Sequence, residues 1–99
     1  MRSRVVLRPR AETDITEARN WYEERRPGLG REFLDVVQTV LATVGKRPEQ
    51  YPVLYRDVRR ALVPRFPYGI FYVVRERRVF VVACFHAKRD PALLADRTE

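Results

Sequence analysis

Three side chains in the second half of the sequence have the types that acid–base work on a phosphodiester needs. His86 is the only histidine, the side-chain type that titrates near neutrality. Arg89 follows it by three residues and Arg65 precedes it. Guanidinium groups hold phosphate oxygens in a two-point fork and offset charge that develops during cleavage. A histidine beside such an arginine can pass protons while the arginine grips the phosphate. The plainer reading is a histidine that bonds a loop and arginines that face water. Residue types and spacing favour it, because a catalytic pair needs mutual geometry that spacing does not supply.

The other reactive types are sparse. Cys84 is the only cysteine and sits in an apolar run, where a free thiol behaves as a small core residue. One cysteine and one histidine cannot assemble a typical zinc site, and no glycine-rich phosphate loop occurs. Neither a metal nor a cofactor is expected. Arg59, Arg60, Arg65, Arg75, Arg77 and Arg78 form either a phosphate-facing patch or a solvated edge that guards strands against aggregation. For the last three, in a turn, the solvated reading is preferred. For Arg65, beside Phe66 and near Tyr68, contact with a partner is preferred, since interleaved arginine and aromatic residues suit nucleic acid and protein alike.

The elements that would position these residues follow from periodicity. Residues 4–8 read as a short strand closed by Pro9. Residues 11–25 form an amphipathic helix, with Ala11, Ile15, Ala18 and Tyr22 on one stripe flanked by Trp21. Pro27-Gly28 ends it, and residues 29–45 form a second helix with a broad apolar face that includes Phe33, Val37, Val40 and Val44. The short link implies an antiparallel helical hairpin. Residues 48–57 read as a loop, followed by strands over 58–63, 68–74 and 79–86. The last is apolar at nearly every position and should be central and covered on both faces. Residues 87–99 form a loop around Asp90-Pro91, with room for one or two helical turns through Leu94. Trp21, Tyr22, Phe33 and Phe71 fit core positions better than a site. The expected fold is α+β, in the order β-α-α-β-β-β. A helical hairpin would pack on one face of a mostly antiparallel four-stranded sheet, leaving the other face for a partner.

Length and composition agree with this. Ninety-nine residues, 45% hydrophobic and 11% aromatic, make one domain over residues 1–99 with a single core. The longest apolar run, 79–85, falls far short of the ~20 residues of a membrane helix. The N-terminal stretch does not read as a secretory leader, so no membrane partner is expected and the reducing cytoplasm is the default compartment. The net charge is +7, and all but two of the twenty cations are arginine. Residues 10–47 balance seven cations with seven anions, whereas residues 58–91 carry eight against two and residues 1–9 carry three cations alone. The excess therefore falls on the strands, which suggests an anionic partner or an arginine-rich surface without one.

A set of short motifs adds a family resemblance. Asp14-Ile15 and Trp21-Tyr22-Glu23 lie in the first helix, and Pro27-Gly28-Leu29-Gly30 with Phe33-Leu34 opens the second. Pro48 and Tyr51-Pro52 follow, then Arg65-Phe66-Pro67-Tyr68 with Tyr72, then His86 and Arg89-Asp90-Pro91. In order and spacing this resembles the RelE/ParE superfamily of type II toxin–antitoxin toxins, most closely the ParE-like, plasmid-stabilisation branch. The resemblance implies a bacterial, cytoplasmic toxin neutralised by a cognate antitoxin, alone as a homodimer or in a toxin–antitoxin hetero-oligomer. The ParE-like branch implies inhibition of DNA gyrase and no enzymatic activity. The RelE-like branch implies metal-independent cleavage of mRNA on the ribosome, with His86, Arg65 and Arg89 as the catalytic set. A third alternative is a non-toxic member that only binds antitoxin. Gly69 stands where RelE-like toxins tend to carry an arginine after the strand tyrosine, and no tyrosine follows Tyr72, so the ParE-like reading leads. Arg59, Arg60, Arg65, Tyr68, Tyr72, Lys88 and Arg89 are the expected partner-binding residues.

Overall fold

Five strands form one sheet in the order β1-β5-β4-β3-β2, and two helices pack on one of its faces. The computed structural model describes residues 3–98; Arg2 and Glu99, counted in the charge above, lie outside them. In chain order the elements are β1 (Arg4–Leu7), α1 (Pro9–Arg25), α2 (Leu29–Lys46), β2 (Val53–Tyr55), β3 (Val58–Leu62), β4 (Tyr68–Arg75) and β5 (Arg78–His86). Two 3-10 segments, Pro48–Gln50 and Pro91–Arg97, lie before β2 and after β5.

The helical hairpin forms where the periodicity puts it. Pro9 occupies the first turn of α1, where a missing N–H costs nothing. Ala11, Ile15, Ala18 and Tyr22 are buried, as are Phe33, Val37, Val40 and Val44 of α2. The link is held by Glu23, whose carboxylate accepts from the backbone N–H groups of Gly28 and Gly30, both at 3.0 Å. Those two bonds hold its carboxyl below the usual range. Gly28 has φ +91°, and a Cβ on Gly30 would lie 2.8 Å from the Arg19 carbonyl oxygen. Glycine at these two positions is what lets the chain reverse and the helices touch.

Ile70, Tyr72, Val79, Val81, Cys84 and Ala61 complete the core beneath the helices. The turn between β4 and β5 is two residues, Glu76 and Arg77, both with positive φ, the primed geometry that suits a twisted hairpin. β4 and β5 pair Phe71 with Ala83 and Tyr72 with Val81, so Val82 is an extra residue in β5. Because of this bulge, Val82 and Ala83 both face away from the helices.

β1 runs parallel to β5 while all other pairings are antiparallel, so the sheet is mostly antiparallel as expected. Two expectations are corrected. The sheet has five strands, not four, because the stretch read as a loop contains β2, which pairs with β3 across a two-residue turn. The face away from the helices is not wholly open. Val58, Phe71, Val73, Val82, Ala83 and Phe85 form a second apolar cluster closed by Leu94, which the C-terminal 3-10 segment delivers. β5 is thus covered on both faces over much of its length, as its composition required.

Candidate partner-binding cleft

β1 is shorter than β5, and that mismatch creates the site. Its ladder ends where the Arg8 N–H donates to the Val81 carbonyl at 3.0 Å and the chain turns into α1. Beyond Val81 the edge of β5 has no strand beside it, and side chains satisfy its backbone instead. Asp14 of α1 accepts from the Cys84 N–H at 3.0 Å. Arg97, near the C-terminus, donates to the Val82 carbonyl at 2.9 Å and to Asp14 Oδ2 at 2.9 Å. The pair is largely buried, with side-chain exposures of 12% for Arg97 and 16% for Asp14. It pins the C-terminal segment to α1 and to the strand edge together.

Next to this pair a cleft of about 570 Å³ opens between α1 and the end of the β4–β5 hairpin. One wall is Asp14, Glu17, Ala18, Trp21 and Tyr22; the other is Pro67, Tyr68, Cys84, Phe85, His86 and Arg89. Trp21 is 48% exposed and stacks under Arg25, whose guanidinium carbon lies 3.9 Å from the ring centroid. The expectation of a core tryptophan is corrected: Trp21 flanks the apolar stripe on its open side and lines the cleft. Tyr22, Phe33 and Phe71 are buried as expected.

Tyr68 and His86 are cross-strand partners, with ring centroids 6.3 Å apart. The backbone N–H of Lys88 donates to His86 Nδ1 at 3.1 Å, which leaves Nε2 to carry the proton of the neutral ring. The Arg89 guanidinium lies over the Phe85 ring at 4.9 Å, and the Arg89 backbone N–H donates to the His86 carbonyl at 3.0 Å. Burial pushes the Tyr22 and Tyr68 phenols up, so both stay neutral donors. Burial, with Asp14 adding to it, pushes the Cys84 thiol up to about 12, and a thiol so held is no nucleophile.

The structure brings Tyr68, His86, Lys88 and Arg89 together at one end of the sheet. Arg60 reaches the same end from β3. Its stem crosses Gly69 on the outer face, and its guanidinium donates to the Ala87 carbonyl at 3.2 Å. Arg65, at φ +71°, turns toward Phe66 and Glu32 and does not line the cleft. Arg59 donates to the carbonyls of Tyr51 (2.6 Å) and Glu49 (3.2 Å), clamping the segment before β2. Tyr72 is fully buried, and its hydroxyl donates to the Pro48 carbonyl at 2.5 Å. Asp14 and Arg97 had no mark in the sequence as a pair, being 83 positions apart.

The arrangement suits a polypeptide segment better than a phosphate. The floor is aromatic and aliphatic, and the rim mixes Glu17 with His86 and Arg89. Such a surface seats apolar side chains and orients them with a few charges.

A family model described as the ParE toxin of the type II toxin–antitoxin system parDE matches residues 5–91. No curated protein sequence matches the chain significantly. Among solved structures, the fold is similar to a chain of the chromosomal ParDE toxin–antitoxin system of P. aeruginosa. That match has a TM-score of 0.78 at 12% identity, covering 87% of this chain and 97% of that one. It is also similar to a chain of a RelBE toxin–antitoxin complex from Mycobacterium tuberculosis, with a TM-score of 0.62 at 17% identity, covering 87% and 99%.

Proposed function

The chain belongs to the ParE toxin family of type II toxin–antitoxin systems, and on that premise we propose that it arrests growth by binding DNA gyrase and that a cognate antitoxin neutralises it. The observation that carries this reading is the cleft between α1 and the strand ends, with Trp21, Tyr22 and Tyr68 inside and His86 and Arg89 at its rim. Exposed aromatic residues beside arginine are the side chains that dominate protein–protein binding energy. Tyr68, Lys88 and Arg89 form the contact surface in this reading, with Arg60 bracing the loop that carries the last two. The net charge of +7 steers an acidic partner segment toward the protein and speeds encounter.

A supercoiling assay with purified protein tests the target. Inhibition that Tyr68→Ala and Arg89→Ala weaken at least tenfold is the expected result. Gyrase that works normally at high molar excess of the protein refutes it. Co-expression with the protein encoded beside it tests the antitoxin, which should restore growth and co-purify.

A second reading is ribosome-dependent mRNA cleavage, favoured by one observation: His86 and Arg89 line the same cleft. It would use Nε2 of His86 for proton transfer and Arg89 for phosphate binding. Primer extension on translated mRNA would then show discrete cuts that His86→Ala and Arg89→Ala abolish. Intact transcripts during growth arrest dispose of it.

A further inference from the structure

Away from the cleft, the sheet face opposite the helices carries a second feature at the hairpin end. The cluster that Leu94 closes leaves Phe80 only partly buried against it. Toward β1 the face presents Arg4, Val6 and Arg8 beside Arg78 and Phe80, with Arg4 paired in register with Arg78 and Val6 with Phe80. Like charges set side by side on neighbouring strands destabilise a sheet unless an anion lies between them. Among the described residues neither Arg4 nor Arg8 has an ion-pair partner, and Arg78 has only Glu76 at 3.6 Å. Arg75, on the same face, is taken by Asp57.

Phe80 organises the group. The guanidinium carbon of Arg8 lies 5.0 Å from its ring centroid and that of Arg78 5.8 Å. Attraction to the ring face holds both guanidinium groups near Phe80 before any ligand arrives. Arg8 Nε is buried with no hydrogen-bond partner, so this side chain keeps unused donor capacity where it sits. We propose that Arg4, Arg8 and Arg78 around Phe80 form a binding surface for the phosphate backbone of duplex DNA.

The chemistry of the patch selects this occupant. Single-stranded nucleic acid is bound by stacking bases on free aromatic faces, and Phe80 is already attended by two guanidinium groups. An acidic peptide needs apolar ground to bury its own side chains, and here only Val6 and part of Phe80 offer any. None of the five residues carries a hydroxyl, amide or carboxylate, so the guanidinium groups are the only side chains here that can hydrogen-bond, and phosphate oxygens are the acceptors that suit them best. What remains is charge–charge contact with evenly spaced phosphates, independent of sequence. This inference goes beyond the toxin reading and does not depend on which target the cleft binds.

Fluorescence anisotropy with a labelled 20-bp DNA duplex tests it, with single-stranded DNA and duplex RNA as further arms. With three phosphates engaged, log K should fall with log[salt] at a slope of about −2.7. Arg8→Ala/Arg78→Ala should weaken duplex binding about tenfold or more at low salt and reduce that slope by about two. Arg4→Ala, at an exposed strand start, should reduce it by about one with the fold intact by circular dichroism. Arg26→Ala/Arg31→Ala, two exposed cations on the helix side, should stay within twofold of the parent. Equal losses from the two double variants would mean diffuse attraction to a basic protein and would overturn the proposal. So would tighter binding of single strands or of duplex RNA. Failure of gyrase inhibition with normal duplex binding would count against the toxin target alone.

Discussion

Replacing Asp14 with alanine removes the acceptor for the Cys84 N–H and the charge partner of Arg97 in one step. An unsatisfied buried N–H costs roughly 1–3 kcal/mol. Removing one partner of a buried ion pair costs roughly 3–5 kcal/mol, because the other charge is left in a poor environment. Arg97 keeps its bond to the Val82 carbonyl and a little solvent contact, so the two losses should not add in full. A total of about 3 kcal/mol is expected, or a fall in Tm on the order of 15 °C for a domain of this size. Asp14→Asn keeps an acceptor for the Cys84 N–H but not the charge facing Arg97, so it should recover only about 1 kcal/mol of that loss, the scale of one hydrogen bond. Asp14→Ala/Arg97→Met removes the stranded charge and should recover part of the loss, giving a coupling energy of about 2 kcal/mol in a double-mutant cycle. Urea unfolding followed by the fluorescence of Trp21 measures all three. Amide exchange at Cys84 reports the strand edge directly and should speed up in Asp14→Ala. Additive costs in the cycle, or unchanged protection at Cys84, would refute the idea that this pair closes the edge of β5.

Two further outcomes follow from the core. Burial raises the Tyr72 phenol to about 12, above its unfolded value of 10.0, so the folded state holds this proton after the unfolded state has lost it. Stability is therefore complete below pH 10 and declines between pH 10 and 12, by roughly 2–3 kcal/mol at 1.4 kcal/mol per unit; the decline should shrink in Tyr72→Phe, as denaturant midpoints across that range will show. Gly30→Ala would set a methyl group 2.8 Å from the Arg19 carbonyl oxygen, and overpacking of this kind typically costs roughly 1–3 kcal/mol. A thermal melt within 2 °C of the parent would show that the helices separate freely at that point.

The sequence told most about the elements and least about what joins them. Both helices are legible because a stripe such as Ala11, Ile15, Ala18 and Tyr22 has one geometric solution, and β5 because few structures bury seven apolar positions in a row. β2 is not, since three residues after Tyr51-Pro52 show no alternation. Tyr68 and Tyr72 were both read as contacts, yet alternation along β4 points both toward the helices, and only Tyr68 lies near enough to the strand end to reach the cleft. Helical periodicity fits Trp21 to the core, yet it stands one step from the buried stripe, and that step puts it outside. That β5 is covered on both faces is legible in its apolar run, but that Leu94 closes the outer cluster is not, because it comes from a segment with no periodicity of its own. Asp14 with Arg97, and Arg4 with Arg78, depend on strand order, which no local pattern encodes.

The extra residue in β5 has an evolutionary consequence. At most positions of β5, gaining or losing one residue would turn every later side chain to the wrong face. The bulge is the exception. Deleting Val82 would restore a regular pleat and leave Ala83 and Phe85 outward and Cys84 toward the helices, as they are now. Descendants of this lineage should therefore tolerate the loss of a residue at Val82 sooner than at any other point of the strand.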